Sequence, residues 1–263
     1  MGKKKVFIAL KMAGIAGQGK LAGIFRYVKE RYGESPPWDV QLVRTRSELT
    51  RDAICHAIGN GTDGFIVSIP DAEDAVPPLA VAGIQTIVMD IHSAALEMRS
   101  ANIAFIRNSA DAIGREAAQF LLGQGHARSY AFLHSDPVTD WSRARFAAFK
   151  RELNDSGLWC EELFAPEAAA KLKRPAAVLA ANDDRAFDLV KVLAARRIAV
   201  PREVTVLGVD NDTLICENAN PCLSSVQPDF EEEGRLAAET LFFTNSFQNY
   251  IKCYKNRRLK KTN

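Results

Sequence analysis

The chain has 263 residues, which is long enough to bury one large core or two lobes. Hydrophobic residues make up 47% and charged residues 25%, as in soluble globular proteins, and the formal net charge of +2 gives no general attraction to nucleic acid. The cysteines are odd in number and contain no CxxC pair, which favours free thiols in a reducing compartment over disulfides or a zinc site. They are Cys55, Cys160, Cys216, Cys222 and Cys253.

The first ten residues have features of both an export signal and a buried strand. Three lysines precede five apolar residues, but Lys11 ends that run before it reaches the length of a signal-peptide core. We therefore expect the first strand of a sheet here. No sequence segment approaches the length of a transmembrane helix, so we predict a cytoplasmic protein with no membrane partner.

Strand and helix patterns alternate along the whole chain, which is typical of parallel sheets built from βαβ units. In the first half, strands are predicted at 5–10, 38–43, 65–69 and 85–89, with helices at 20–32, from about 50, and shortly before 82–83. In the second half, strands are predicted at 102–106, 130–133, 176–181, 204–209 and 223–227, with helices from 110, at 140–154, from 183, and at 229–241. Residues 159–173 are only weakly patterned, and 242–263 form a basic tail that is either solvated or in contact with phosphate.

Acidic and amide side chains follow four of the predicted strands. They are Asp90, Asp136, Asn182, Asp183 and Asp210. The carboxyl ends of parallel strands meet at one edge of a sheet, so these side chains can line the mouth of a ligand cleft. Aspartate and asparagine also cap helices after such strands, and the pattern alone leaves both interpretations open.

Trp141 and Arg143 begin the helix that follows one of these strand ends. A guanidinium there can donate to two adjacent hydroxyls, and an indole can stack on the apolar face of a sugar. A surface arginine and a packed tryptophan explain the same residues equally well.

Gly17, Gly19 and Gly23 lie around the junction of the first strand and the first helix, where dinucleotide-binding folds carry a glycine motif. Arg44 and Arg46 after the second strand could meet the 2′-phosphate of NADP. The link from strand to glycines is longer than that motif requires, and a flexible loop explains the glycines as well. An NADP-linked oxidoreductase is therefore an alternative hypothesis.

Other catalytic signals are absent from the sequence. The histidines lack metal-ligand spacing, and the chain contains neither a GxSxG elbow nor a P-loop. We therefore expect no enzyme activity, no metal and no cofactor. The four histidines are His56, His92, His126 and His134.

Together these segments resemble the effector-binding domain of the lactose-repressor (LacI/GalR) family, which shares the periplasmic sugar-binding-protein fold. The matching segments are 62–67, 108–114 with 125–126, 143–149, 175–183, 206–211 and 221–226. Within the family, the stretch from Asp210 to Asp229 is most similar to the xylose-operon regulators (XylR), which place this domain ahead of an AraC-type helix-turn-helix.

The resemblance implies an α/β fold with two Rossmann-like, parallel-sheet lobes joined by crossing strands, and a small effector, usually a sugar, bound between them. The implied division is 1–106 for the N-lobe, 107–225 for the C-lobe, 226–245 for a helix returning to the N-lobe, and 246–263 for the tail. It also implies that Arg143, Asn182 and Asp210 hydrogen-bond the ligand and that Asp90 lies at the N-lobe edge of the cleft. Trp141 is added from its place beside Arg143. Homodimerisation and lobe closure follow from the same resemblance.

The chain departs from the family at several points. Arg107 replaces the usual aspartate, Ala148 replaces the glycine of the RxxGF pattern, and the segment 159–173 is short. We find no helix-turn-helix before Lys5 or after Leu241, so we expect DNA binding only through a part not present in this chain. The sequence thus predicts a sugar sensor of a transcriptional regulator, without fixing which sugar, and a periplasmic sugar-binding protein is the first alternative.

Overall fold

The structure is a computed structural model that describes residues 2–12, 14–43, 50–68, 82–90, 100–243, 251–254 and 258–260. The chain divides into two compact units. The first contains Met1–Asn108 and Asp229–Tyr254, and the second contains Ser109–Pro228 and Lys255–Asn263. The first boundary lies two residues later than the one implied by the resemblance, because Arg107 and Asn108 complete a strand of the first sheet. The second boundary, after Pro228, lies three residues later, and the segment 246–263 is divided between the two units.

The first unit is a parallel sheet with helices on both faces. Its strands are β1 (Lys4–Ala9), β2 (Trp38–Val43), β3 (Gly64–Ser68), β4 (Gln85–Met89) and β5 (Ile103–Asn108), and its helices in this part of the chain are α1 (Ile15–Tyr32) and α2 (Arg51–Gly59). The strand order is β5-β4-β3-β1-β2. Alternate strand residues pack on α1 on one face and on α2 on the other, so the central strand β3 is buried along its whole length.

The second unit repeats this architecture. Its elements are α3 (Ala110–Gly123), β6 (Ser129–Leu133), α4 (Asp140–Asp155), β7 (Cys160–Leu163), a 3-10 helix (Pro166–Lys171), β8 (Ala176–Ala180), α5 (Asp183–Ala195), β9 (Val204–Val209), α6 (Thr213–Cys216) and β10 (Ser224–Gln227). The strand order is β10-β9-β8-β6-β7, with all four pairings parallel. Helices α3 and α4 cover one face, and α5 with the 3-10 helix covers the other.

The chain then returns to the first unit through α7 (Phe230–Phe243), which packs on the same face as α1. Two short strands lie in the segment predicted as a basic tail. One, β11 (Ile251–Tyr254), pairs parallel to β5, and the other, β12 (Arg258–Lys260), pairs antiparallel to β10. Each sheet therefore gains a sixth strand from the tail.

These sheets confirm the predicted fold class, and helix capping follows the predicted chemistry. Thr50 Oγ1 accepts from the Ala53 amide at 3.1 Å, and Ser109 Oγ accepts from the Ala112 amide at 3.1 Å. Residues 159–173, which were only weakly patterned, hold β7 and the 3-10 helix. Among the residues that the structure describes, no helix combines the length and apolar character that a bilayer crossing needs.

Helix α1 begins earlier than predicted, because the glycines expected in a turn lie inside the helix. Helix α7 crosses α1 at these glycines. A Cβ on Gly23 would collide with the backbone oxygen of Glu231, and a Cβ on Gly19 would lie 2.8 Å from Phe230 Cβ. Gly234 on α7 approaches the backbone of Lys20 in the same way. The glycine motif thus permits close helix packing.

We expect Gly23→Ala to destabilise the protein by about 1–3 kcal/mol, because the added methyl group forces two packed backbones apart. Urea unfolding measures the change. Gly59→Ala is the matched control, since a Cβ at that helical position meets no atom within 4 Å. Equal stability of the two variants would show that the helix crossing does not depend on this glycine.

Candidate functional site

The carboxyl edge of the second sheet is the candidate site. Chain order reverses between the neighbouring strands β6 and β8, and in open α/β sheets ligands bind beyond the strand ends at such a point. His134 follows β6, Asn182 lies just beyond β8, and Asp210 follows β9. Three polar side chains thus leave adjacent strands at one edge.

Arg145 on α4 lies among these residues and is 4% exposed. Its Nη1 donates to the backbone oxygen of Ala181, and its Nη2 lies 3.9 Å from Asp210 Oδ1. The Trp141 ring, one helical turn earlier, lies 4.6 Å from Arg145 Cζ and packs on the guanidinium. The structure therefore groups Trp141, Arg145 and Asp210, of which the sequence analysis named only the first and the last.

The other two residues predicted for this edge have different environments. Arg143 is exposed and lies close enough to His134 for its charge to lower the pKa of that histidine. Asn182 is half-buried, and its Oδ1 accepts from the Arg185 amide at 3.1 Å as the N-cap of α5. Capping uses one acceptor position of Asn182, and its amide donates to Asp184 Oδ2 over 3.4 Å.

A short loop from Asp210 to Asp212 closes the edge beyond β9. Asp210 and Asn211 have positive φ values of 114° and 54°. The amide of Asn211 donates to Ser225 Oγ at 3.0 Å, and the amide of Asp212 donates to Asp183 Oδ2 at 2.8 Å. Burial raises the pKa of Asp183 to about 6, against the opposing hydrogen bonds from Ser225 and Asp212. The loop that carries Asp210 is therefore anchored from β10 and α5.

Buried His134 joins Ser142 to the exposed Glu162 in a line of polar contacts that the sequence analysis did not identify. Its Nδ1 lies 2.9 Å from Ser142 Oγ and its Nε2 lies 2.8 Å from Glu162 Oε1. Burial lowers the pKa of His134 and outweighs the opposing effect of Glu162, which favours a neutral imidazole. His134 and Ser142 are both fully buried, so this serine is not accessible as a nucleophile. Phe164 stacks on the imidazole, with ring centroids 5.2 Å apart, and remains 57% exposed.

In the first unit, Asp90 follows β4 and belongs to a charged cluster of this unit. It accepts from Lys20 Nζ and, at 2.5 Å, from Ser68 Oγ. Lys20 is 2% exposed and lies 3.4 Å from Glu233 Oε2, which is fully buried on α7. Burial alone would lower the pKa of Lys20, but the attraction of Asp90 and Glu233 raises it to about 12. Burial raises the pKa of Glu233 to about 7.

The nucleotide hypothesis is wrong in its central motif. Gly17, Gly19 and Gly23 belong to α1 and do not form a phosphate-binding turn between a strand and a helix. Helix α7, and not a ligand, occupies the space beside Gly19 and Gly23. Arg44 and Arg46, the predicted contacts of the 2′-phosphate, lie outside the described residues.

Comparison with known proteins gives the same fold. Residues 118–243 match the model of the periplasmic binding protein-like domain. The regulatory protein of LacI family from Chloroflexus aggregans is 17% identical, with a TM-score of 0.73 over 90% of this chain and 89% of that one. The LacI family transcriptional regulator from Enterococcus faecium, solved with bound ribose, is 21% identical, with a TM-score of 0.69 over 91% of this chain and 89% of that one.

Similar sequences also occur among curated regulators. The HTH-type transcriptional regulator DegA of Bacillus subtilis is 30% identical over 134 residues, which are 46% of this chain and 39% of DegA. The HTH-type transcriptional repressor PurR of Vibrio atlanticus is 25% identical over 211 residues, which are 74% of this chain and 61% of PurR. The chain thus spans less than two thirds of either relative. Residues 118–243 are thus similar to the periplasmic binding protein-like domain, and the curated relatives that the chain resembles are named as transcriptional regulators.

Proposed function

We propose that this chain is the effector-binding part of a bacterial transcriptional regulator and that its effector is a small neutral sugar. The observation that carries the proposal is the buried Arg145 beside Asp210, at the reversal point of the second sheet. A buried guanidinium is costly unless it is paired, so its position at a ligand edge favours a binding role over simple packing.

The chemistry of this edge suits hydroxyl groups. Arg145 is a donor only, and the Asp210 carboxylate is an acceptor, so the pair can hydrogen-bond both the oxygen and the proton of adjacent hydroxyls. Because the charges of Arg145 and Asp210 have opposite signs, they offset each other, and a neutral ligand leaves no unpaired charge at this edge. A carboxylate or phosphate ligand would instead meet Asp210 as a like charge.

Aromatic faces at the same edge support a sugar ring. Trp141 packs beside Arg145, and Phe164 is held by the buried His134 while most of its side chain is exposed. Such faces can cover the C–H side of a pyranose or furanose. We propose Arg145, Asp210, Asn182, Trp141 and Phe164 as the contacts from the second unit.

Two residues predicted from the sequence, Asp90 and Arg143, are not among these five contacts. Asp90 stays a proposed ligand contact of the first unit, where Lys20 and Ser68 orient its carboxylate. Arg143 is exposed, so we assign the main guanidinium contact to Arg145 and keep Arg143 as a subsidiary candidate.

The regulatory role is supported by the named homologues and by the ribose-bound LacI-family neighbour. In this proposal the effector binds one functional state more tightly than the other, and the affinity difference sets how far it shifts the population. DNA binding through a further part, homodimerisation, cytoplasmic location and similarity to the xylose regulators belong to the proposal as well.

A thermal-shift screen of pentoses, hexoses and their phosphates tests this function. At a concentration about one hundred times its Kd, a true effector stabilises the protein by about 2.7 kcal/mol, which corresponds to a rise of several degrees in Tm. We expect a neutral sugar to give such a rise and NADPH to give none. Shifts from sugar phosphates alone would keep the sensor role but refute the neutral sugar, and a screen without any shift would contradict the proposal.

A further inference from the structure

Asp183 is a buried carboxylate that does not belong to the proposed ligand contacts. It is the first residue of α5 and is 1% exposed. Asp212 N donates to Oδ2 at 2.8 Å, Ser225 Oγ donates to Oδ1 at 2.6 Å, and the Cys216 thiol is a third hydrogen-bond partner. A Cβ on Gly208 would collide with Oδ1, so β9 closes the remaining side.

These hydrogen bonds lead directly to the loop beyond β9. Asp183 binds the amide of Asp212 itself, and through Ser225 Oγ it also supports the amide of Asn211, which donates to that oxygen at 3.0 Å. Asp210 and Asn211 adopt positive φ values, which are unfavourable for residues other than glycine. Such a conformation persists only where its surroundings impose it.

We propose that Asp183 is a positioning residue of the effector site: it fixes the orientation of the Asp210 carboxylate through the amides of Asn211 and Asp212, and it makes effector affinity depend on pH. The part of this inference that concerns the effector rests on the function proposed above. The part that concerns the loop does not.

The pH dependence follows from what protonation does to these hydrogen bonds. Burial and, to a smaller extent, the nearby charge of Asp212 raise the pKa of Asp183 to about 6, against the opposing hydrogen bonds from Ser225, Asp212 N and Cys216. The other titratable group that faces it in the second unit is the Cys216 thiol, whose own pKa is raised by burial to about 12 and which stays protonated. A protonated Asp183 accepts more weakly and turns one oxygen into a donor, so the loop loosens.

Hydrogen exchange of the free protein tests the loop without any ligand. We expect the protection factors of the Asn211 and Asp212 amides to fall about tenfold between pH 7.5 and pH 5, since hydrogen bonds to charged groups are stronger than neutral ones by about that factor. Asp183→Asn resembles the protonated acid, so its protection should be low at both pH values. Asp155→Asn, an exposed aspartate of the same unit, is the matched control and should behave as wild type.

Binding of D-ribose, or of the neutral sugar with the largest shift in the screen, tests the effector part. Wild type should bind about three- to tenfold more tightly at pH 7.5 than at pH 5, whereas Asp183→Asn should bind with the weaker affinity at every pH. Ser225→Ala removes the support of Asn211 and one hydrogen bond to Asp183 but keeps the hydrogen bond from the Asp212 amide, so it should give an intermediate affinity.

Stability separates positioning from a purely structural role. Because the pKa of Asp183 is raised in the folded protein, the stability that its protonation contributes is lost as pH rises from about 4 to about 6. At pH 7.5 this contribution is absent, so Asp183→Asn should melt no lower than wild type. Weaker binding without a lower Tm supports the proposal. If Asp183→Asn kept wild-type protection of the Asn211 and Asp212 amides and wild-type affinity, the proposal would be overturned. If amide protection changed as predicted but no variant bound a sugar, only the sugar function would be refuted.

Discussion

Arg145→Ala is expected to weaken binding of the neutral sugar effector by at least about thirtyfold. Truncating one partner of a buried, hydrogen-bonded charge pair costs about 2–5 kcal/mol of binding free energy, and the lower limit already corresponds to more than a tenfold change. The substitution also leaves Asp210 without the cation 3.9 Å away and removes the packing partner of Trp141. Isothermal titration with the sugar identified by thermal shift measures the loss.

Two further arginine variants make this result specific. Arg128→Ala is the matched control, since Arg128 is exposed just before the amino end of β6, opposite the candidate edge, and its loss should leave affinity unchanged. Arg143→Ala tests the residue that the sequence favoured, and we expect a smaller loss than for Arg145→Ala. If Arg143→Ala removed binding while Arg145→Ala retained it, the guanidinium contact would be assigned to the wrong helix position.

Lys20→Met is expected to destabilise the protein by about 3–5 kcal/mol, which is the usual cost of breaking a buried ion pair on one side. The substitution leaves Glu233 buried without its cation and removes the donor to Asp90 Oδ1. Methionine keeps most of the apolar volume of the lysine stem, so the loss reflects charge more than a cavity. Urea unfolding at pH 7.5 measures it.

The same helix supplies the control for this variant. Lys29→Met changes an exposed lysine of α1 and should alter stability by no more than about 0.5 kcal/mol. Replacing both buried partners, as Lys20→Met with Glu233→Leu, should recover part of the stability, because Glu233 is then no longer a buried charge without its cation and only the partly exposed Asp90 still lacks the Lys20 donor. A loss below about 1 kcal/mol in Lys20→Met would show that the cluster does not stabilise the first unit.

Glu233 also gives this cluster a pH signature. Its folded-state pKa of about 7 lies above the usual 4.5, so the folded protein holds this proton over a range in which the unfolded chain has lost it. The contribution is therefore complete below about pH 4.5 and is lost as pH rises to about 7. Glu233→Gln should flatten that part of the stability profile, although Asp183 adds a similar slope below about pH 6.

Much of the fold could be predicted because buried parallel strands appear as short apolar runs with sharp boundaries. The predicted bounds of β2, β4 and β9 match the structure residue for residue. Helix α1 was started too late, since glycines within a helix look like a turn until the helix that packs on them is known. Strand β7 was missed because it lies at a sheet edge and carries two exposed glutamates.

The candidate site could be predicted only in part. Strand ends place Asn182 and Asp210 at one edge from the sequence alone, but the choice between Arg143 and Arg145 depends on which face of α4 is buried. Helical spacing does indicate that Arg145 faces inward, since it lies four residues after Trp141 and four before the buried Phe149. His134 contacts Ser142, 8 residues away in the sequence, and Glu162, 28 residues away. No local sequence pattern indicates contacts between residues so far apart.

The most direct test is a crystal structure of the chain with the neutral sugar that stabilises it most. We predict sugar hydroxyls within hydrogen-bond distance of both Arg145 and Asp210, beyond the carboxyl ends of β6, β8 and β9. A sugar bound elsewhere, with neither of these side chains in contact, would contradict the proposed site.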